Sequence, residues 1–476
     1  MNSAILKSVS LLVAMALPLE AAARELPVLK SSDAMIEDAW NLAVRTVENN
    51  IADGIIKAGG DYGGEWTRDA SINAWNAGSL VFPEESRNSL WSVTVDSLVV
   101  GHQYWDKIIW VQGAFNHHLV TGDPVKKIYE CCAATMKGLE DTLKVAEYGL
   151  FRGPSVFNDG IAGYEVPVAG DTLEWSSVLM YPNAYNICCL STNCAYYMAY
   201  RRLASMAWEC GKPFAAARYR FKACRLRKAI LDRFYDRDNA ELAYLIDHNG
   251  DLHHFQEALG WSFAILSGII PQKDAPALVA SAEVSDYGIT SICPDFKRFD
   301  SSHPGRHNNI VWPFVNAFWA EAALQAGDRE SFEFELRNLA FLAMEKGGGM
   351  FYEIYNALSG EPDGGWQVGH QWVSSRDQTW SATGYMRMVL NGVFGISFSR
   401  RGMIVNPPAE VAGDLGISGI EGLKYRRHKV SVSFLPASDG KRGVYVNGSK
   451  VRRAFVPCRG QEDIVIDIYG AQLNFE

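Results

Sequence analysis

Residues Asn183 to Asp236 read NAYNICCLSTNCAYYMAYRRLASMAWECG followed by KPFAAARYRFKACRLRKAILDRFYD. Apolar residues recur at three and four spacing through both halves, which is the period of a helix. The first half stops on Gly211, and the second begins with Pro213 in its first turn. Two long helices joined by so tight a turn form a helical hairpin.

The pattern repeats outward in both directions. DAMIEDAWNLAVRTVENNI from Asp33 is amphipathic, and DKIIWVQGAFNHHLVTGD runs straight into PVKKIYECCAATMKGLEDTLKVA. NIVWPFVNAFWAEAALQAGD and RESFEFELRNLAFLAME form another pair, and RDQTWSATGYMRMVLNGVFG is the last strong helix. With weaker candidates at 67–80, 83–98, 254–269 and 273–284, about a dozen helices are expected between Asp33 and Asn391. Between them lie glycine- and aromatic-rich loops at 56–66, 150–180, 285–310 and 347–376, and loops that long in a compact domain are usually functional. After Phe394 the period changes to two, with NG and DG turns, so residues 396–476 are expected to form a small β domain.

The 476 residues are 48% hydrophobic and 21% charged, with a net charge of -9. That balance argues against a nucleic-acid groove or an anionic membrane as partner. Fourteen Trp, 20 Tyr and 22 Phe suit a large core and also suit the apolar faces of sugars. Lys7, the run VSLLVAMALPL and the small residues at Ala21–Ala23 read as a signal peptide over 1–23, so a periplasmic or secreted protein is expected, with no membrane insertion once the signal is removed. Nine cysteines show no C-x-x-C and no Cys/His ligand spacing, so buried thiols are expected rather than zinc, with one or two disulfides permitted by export. There is no G-x-S-x-G, Walker A or H-E-x-x-H.

Five segments carry polar groups suited to chemistry. DYGGEWTRD places Trp66, Arg68 and Asp69 at the mouth of a helix, where they can stack on a sugar or cap the helix. GGGMFYEIYN sets Glu353 between Tyr352 and Tyr355; its glycines are expected to let the chain approach a pocket and its tyrosines to wall the acid. GLFRGPSVFNDGIAGYEVP holds Asp159, with Glu165 and Glu174 as competing acids. PGRHNNIVWP offers His307, Asn308 and Trp312, and GHQWVSSRDQTWSA offers Gln371, Trp372, Gln378 and Trp380.

These residues resemble the six-hairpin glycosidases, which include glucoamylases, trehalases and the family of mannosyl-oligosaccharide glucosidases and mannosylglycerate hydrolases. The likeness spans nearly the whole chain after the signal. It implies a mainly α fold, an (α/α)6 toroid over 24–395 with a β-sandwich-like domain behind it, and inverting hydrolysis of an oligosaccharide or glycoside, with no metal or organic cofactor. EWTRD looks like the glucoamylase segment that holds the cleaved sugar, which implies that role for Arg68 and Asp69, with Trp66 beside them. FYEIYN is similar to the segment of the catalytic base, which implies Glu353, with Tyr355 in the site. HNNIVWP resembles a pocket-lining segment, implicating His307 and Trp312, and Gln371 and Trp380 are expected to add sugar contacts. YPNAYN resembles the start of the helix after the general-acid loop, and Asp159 just upstream is the best match for the acid. Here that loop reads VFND, without the family's usual Trp, and the trehalase signatures are missing. The substrate implied is an α-glucoside or a related α-glycoside. A non-catalytic sugar-binding protein, and a phosphorylase or epimerase on the same fold, remain as alternatives.

Overall fold

The computed structural model describes residues 25–470 apart from 65, 102–104, 166–177, 181–182, 368, 409 and 438–439. The expected signal peptide and Glu174 lie outside the described residues. Among the described residues, twelve α-helices of six residues or more carry the helical part: α1 (Ala34–Asn49), α2 (Thr67–Asn73), α3 (Pro83–Ser92), α4 (Trp110–Thr121), α5 (Val125–Leu143), α6 (Leu190–Glu209), α7 (Pro213–Phe234), α8 (Ala258–Leu266), α9 (Ala275–Ala280), α10 (Pro313–Ala326), α11 (Arg329–Phe341) and α12 (Thr379–Arg387). The long hairpin expected within 183–236 is α6 and α7, turned by Gly211 at φ +71°. Gly122 and Gly327 end α4 and α10 in the left-handed conformation, and Asp328 caps α11 by accepting from Ser331 N at 3.0 Å. Of the weaker candidates, the window 67–80 is helical throughout, α2 running on through Ala74–Gly78 and Ser79–Val81, while the other three are shorter than their windows, because α3, α8 and α9 give way to two-residue strand pairs or turns.

The even-numbered helices are buried and the odd-numbered ones lie outside them. All residues of α2 and α12 are buried, as are nearly all of α8, whereas α7 buries only Ala216, Ala223, Leu226, Ile230 and Phe234. A helix apolar all round belongs inside, and one with a single apolar stripe belongs at a surface. The even helices pack in a closed circuit, α2 on α4, α4 on α6, α6 on α8, α8 on α10, α10 on α12, and α12 back on α2. The loops at 56–66, 150–165, 285–312 and 347–378 reach the N-terminal ends of α2, α6, α10 and α12, so they gather at one end of the circuit. Among the described residues, no helix is long and apolar enough to cross a membrane. All nine cysteines are free thiols, five of them buried.

Beyond residue 396 the chain forms strands. A three-stranded sheet joins Ile396–Ser399, Gly402–Val405 and Ala454–Pro457, and a six-stranded sheet is built around Ile417–Tyr425, His428–Leu435 and Ile464–Tyr469. The larger sheet takes an edge strand from the other end of the chain: Val28–Ser31 pairs antiparallel with Ile417–Tyr425. A four-residue strand is too short to show a period, so the sequence places it with the helical part. One apolar core runs from Trp40 and Val47 of α1 through Tyr385 of α12 to Ile420, Val432 and Ile466 of the sheet, which seats the β region against the helices.

Candidate active site

The gathered loops surround a pocket enclosing about 960 Å³ of empty space, open solvent included. Trp66, Arg68, Asp69, Asp159, His307, Glu353 and Trp380 all line it. Residues more than three hundred positions apart, Trp66 and Trp380, are thus brought together by the circuit of helices.

Arg68 and Asp69 stand in the first turn of α2, both buried. Arg68 is a bridge: Nη1 donates to Asp106 at 2.9 Å and Nη2 to Asp159 at 3.0 Å. Two carboxylates offset the desolvation of one guanidinium, as a buried charge requires. The loop carrying Asp159 is tied down from several sides. Phe151 N donates to Asn193 Oδ1 at 2.8 Å, Tyr164 OH donates to Asn158 O at 2.7 Å, and Ser155 Oγ donates to Glu257 Oε1 at 2.6 Å. A Cβ on Gly160, next to Asp159, would meet the end of the Gln367 side chain, so a larger residue there would displace that amide.

Glu353 sits on the opposite wall. Its backbone N–H donates to Ser375 O at 2.7 Å, and Arg306 Nη2 donates to Oε1 and Oε2 at 2.9 and 2.8 Å. Tyr62 OH donates to Oε2 at 3.3 Å. Burial alone would raise this carboxyl, but Arg306 and His307 outweigh it and hold it at about 2. His307 lies between the two walls, with Nδ1 3.8 Å from Asp159 Oδ1 and Nε2 4.0 Å from Glu353 Oε1. Its backbone is left-handed at φ +62°, and its ring stacks on Trp312 with centroids 4.2 Å apart. Burial, followed by the nearby Arg306 charge, lowers its pKa.

Several expectations about individual residues are corrected. Gly348 and Gly349, at φ +60° and +81°, do not approach the pocket; with Gly347 they end the helical run after α11, Gly347 N donating to Leu342 O and Gly349 N to Ala343 O. Tyr352 and Tyr355 do not wall the carboxylate. Tyr355 is fully buried against Val311 and Leu342, and its hydroxyl accepts from Tyr352 N at 3.0 Å. Trp312 lies behind His307 rather than in the pocket lining. Gln371 is exposed on a short strand and donates to Asp363 at 3.0 Å. Glu165 is turned to His253 at 2.8 Å and does not line the pocket. The residues missed are Tyr62, Arg306 and Gln367. Arg306 is adjacent to His307 in sequence, but nothing local shows that it pairs with a carboxylate 47 positions later.

Burial pushes three further carboxyls, Asp69, Glu257 and Glu335, up to about 7. A folded-state pKa above the unfolded one gives stability that is full below pH 4 and lost as pH rises through about 7. For Glu257 the rise from 4.5 to about 7 is worth roughly 3 kcal/mol. The protein is therefore expected to melt at a higher temperature at pH 5 than at pH 8, and Glu257→Gln to shrink that difference. A melting temperature that is flat over this range, or an undiminished difference in the variant, contradicts the assignment.

Carboxylates on two walls of an aromatic, polar pocket at one end of a helical circuit define a glycosidase-like site. The model of the mannosylglycerate hydrolase MGH1-like glycoside hydrolase domain matches residues 144–381, half of the chain, and the chain belongs to that family. The match contains Asp159, His307, Glu353 and Trp380; Trp66, Arg68 and Asp69 precede it. No curated protein sequence matches. Among solved structures, a sialidase is similar with a TM-score of 0.62 at 12% identity, over 84% of this chain and 37% of that one. A GH78 family rhamnosidase from a Bacillus species gives 0.61 at 14% identity, over 86% and 42%. The GH63 mannosylglycerate hydrolase from Thermus thermophilus, in complex with glucose, gives 0.53 at 16%, over 73% of this chain and 99% of that one. The chain thus spans less than half the length of the first two, and at these identities the likeness is one of fold.

Proposed function

We propose that the protein is an exported, inverting glycoside hydrolase acting on α-glucosides or related α-glycosides, and that its closed circuit of helices is the inner ring of an (α/α)6 toroid backed by a β-sandwich-like domain. The observation that carries this reading is a single imidazole, His307, standing between Asp159 and Glu353. One ring spanning the gap caps the separation of the facing oxygens at roughly 10 Å, which covers the about 6.5–9.5 Å of inverting pairs. Asp159, on the more open wall, serves as the general acid that passes a proton to the leaving oxygen. Ionised Glu353 takes a proton from water on the opposite face of the ring. Trp66 and Trp380 offer faces for the sugar, and Arg68 and Asp69 hold its hydroxyls. The family match and the glucose complex of a structural neighbour support a sugar as the ligand.

The test is turnover of a panel of α-linked disaccharides and glycosides, with proton NMR of the first-formed sugar. The expected product is the β-anomer. A first product of retained configuration rules out the single displacement, turnover that requires phosphate indicates phosphorolysis instead, and binding without cleavage throughout the panel points to a sugar-binding protein.

A further inference from the structure

A second cavity opens at the other end of the helical circuit, among α4, α6, α8, α10 and α12, lined largely toward their C-terminal ends, with Gln112 coming from the first turn of α4. It encloses about 1180 Å³ of empty space, open solvent included. Arg201, Arg202 and Arg387 line it, and among its described lining residues Glu321 is the one carboxylate. Helix C-termini favour cations, so capping is the first explanation to weigh for arginines here. A capping arginine spends its N–H groups on carbonyls, and Arg387 does not. Its Nη2 meets Glu321 Oε2 at 2.6 Å, while Nε and Nη1 are buried without a hydrogen-bond partner. The ring of Phe318 lies 4.2 Å from its guanidinium carbon and that of Trp75 5.2 Å, so the aromatic contacts occupy its faces and leave its edge for a ligand.

The neighbours repeat the pattern. Arg202 Nε donates to Gln112 Oε1 at 3.2 Å, and Gln112 Nε2 is a buried donor with no partner. Asn76 Nδ2 donates to Thr383 at 3.3 Å, and Asn76 Oδ1 is a buried acceptor with no partner. Burial, followed by the charges of Arg201 and Arg387, pushes Arg202 down to about 10, as expected where cations crowd together. An unpaired buried donor is costly, and more so when it is charged, so a cluster of them is unfavourable unless something fills the cavity.

We propose that this cavity is a second binding site, separate from the pocket of Asp159 and Glu353, for a small hydroxylated anion. The anionic group sits between Arg202 and Arg387 and accepts from Gln112 Nε2, and a hydroxyl of the ligand donates to Asn76 Oδ1. A sugar acid and a sugar phosphate share this chemistry.

Calorimetric titration of the full chain with gluconate, with glucose 6-phosphate and with sorbitol tests it. One or both anions are expected to bind and sorbitol not to. Gluconate alone assigns a carboxylate ligand, and glucose 6-phosphate alone a phosphate ester. Arg202→Gln and Gln112→Leu are each expected to weaken binding about tenfold or more, the scale of a lost charged hydrogen bond. Glu321→Gln, which removes the charge that competes for Arg387 and repels an anion, is expected to tighten binding, and Glu353→Gln to leave it unchanged. Because Arg387 is buried, the test rests on Arg202, Gln112 and Glu321, with the circular dichroism of each variant checked against wild type. Failure of both anions to bind overturns the proposal, as do equal binding of sorbitol and loss of binding in Glu353→Gln with none in the other variants. No turnover is measured, so the result stands apart from the hydrolytic reading.

Discussion

Glu353→Gln is expected to lower kcat by about a thousandfold or more on every glycoside the protein cleaves, with KM little changed. The amide keeps the volume of the carboxylate and still accepts from Arg306, so sugar binding survives. It cannot take a proton from water. Burial would raise this carboxyl, and Arg306 and His307 bring it down to about 2, so it is ionised throughout the working pH range. The substitution also leaves the Arg306 charge buried without its anion, and a loss of a few kcal/mol in stability is expected alongside the kinetic effect. Circular dichroism and a denaturant titration separate the two. A folded variant that keeps a tenth of the wild-type rate would place the base elsewhere.

Arg306→Met reaches the same carboxylate through its pKa. Without the guanidinium, burial dominates, and Glu353 rises from about 2 to above its ordinary 4.5. A base works only when ionised, so the acid limb of kcat/KM should move up by at least about two pH units. The stability change has a definite sign. In the wild type, the depressed pKa gives stability that is present above pH 4.5 and lost as pH falls through about 2. In the variant, the raised pKa gives stability that is present below pH 4.5 and lost as pH rises. The deficit should therefore be about 3–5 kcal/mol at neutral pH and smaller at pH 4. An unmoved acid limb, or a deficit that does not grow with pH, would show that Arg306 does not hold the base.

The two variants separate kinds of evidence for one residue. Glu353 stands out in the sequence as a lone acid among aromatics and glycines, and the pocket does contain it. The neighbours that suggested it are not the ones that act on it. The glycines terminate a helical run and Tyr355 fills a separate core, because both tasks are local to the chain. The groups that hold the carboxylate, Arg306, His307 and Tyr62, come from two other loops, at positions 306–307 and 62. Gln371 and Trp380 show the same limit. Both lie in one aromatic, amide-rich segment, yet Trp380 is turned into the pocket by the first turn of α12 and Gln371 is left on an exposed strand.

What the chain could show unaided is whatever repeats within a few residues. The 3.6-residue period marks the helices, Gly211, Gly122 and Gly327 mark their ends, and the change to a period of two after Phe394 marks the strands. WTRD, opening α2, is also local, since a helix start and its first-turn charges are neighbours in sequence. Contacts across the circuit were left to the folded protein: the return of Val28–Ser31 to the far sheet, the bridge from Arg68 to Asp106 and Asp159, and the Arg306 that holds Glu353. Each joins residues tens to hundreds of positions apart. Their energies depend on burial and on the distance between charges, and neither exists until the helices have closed on one another.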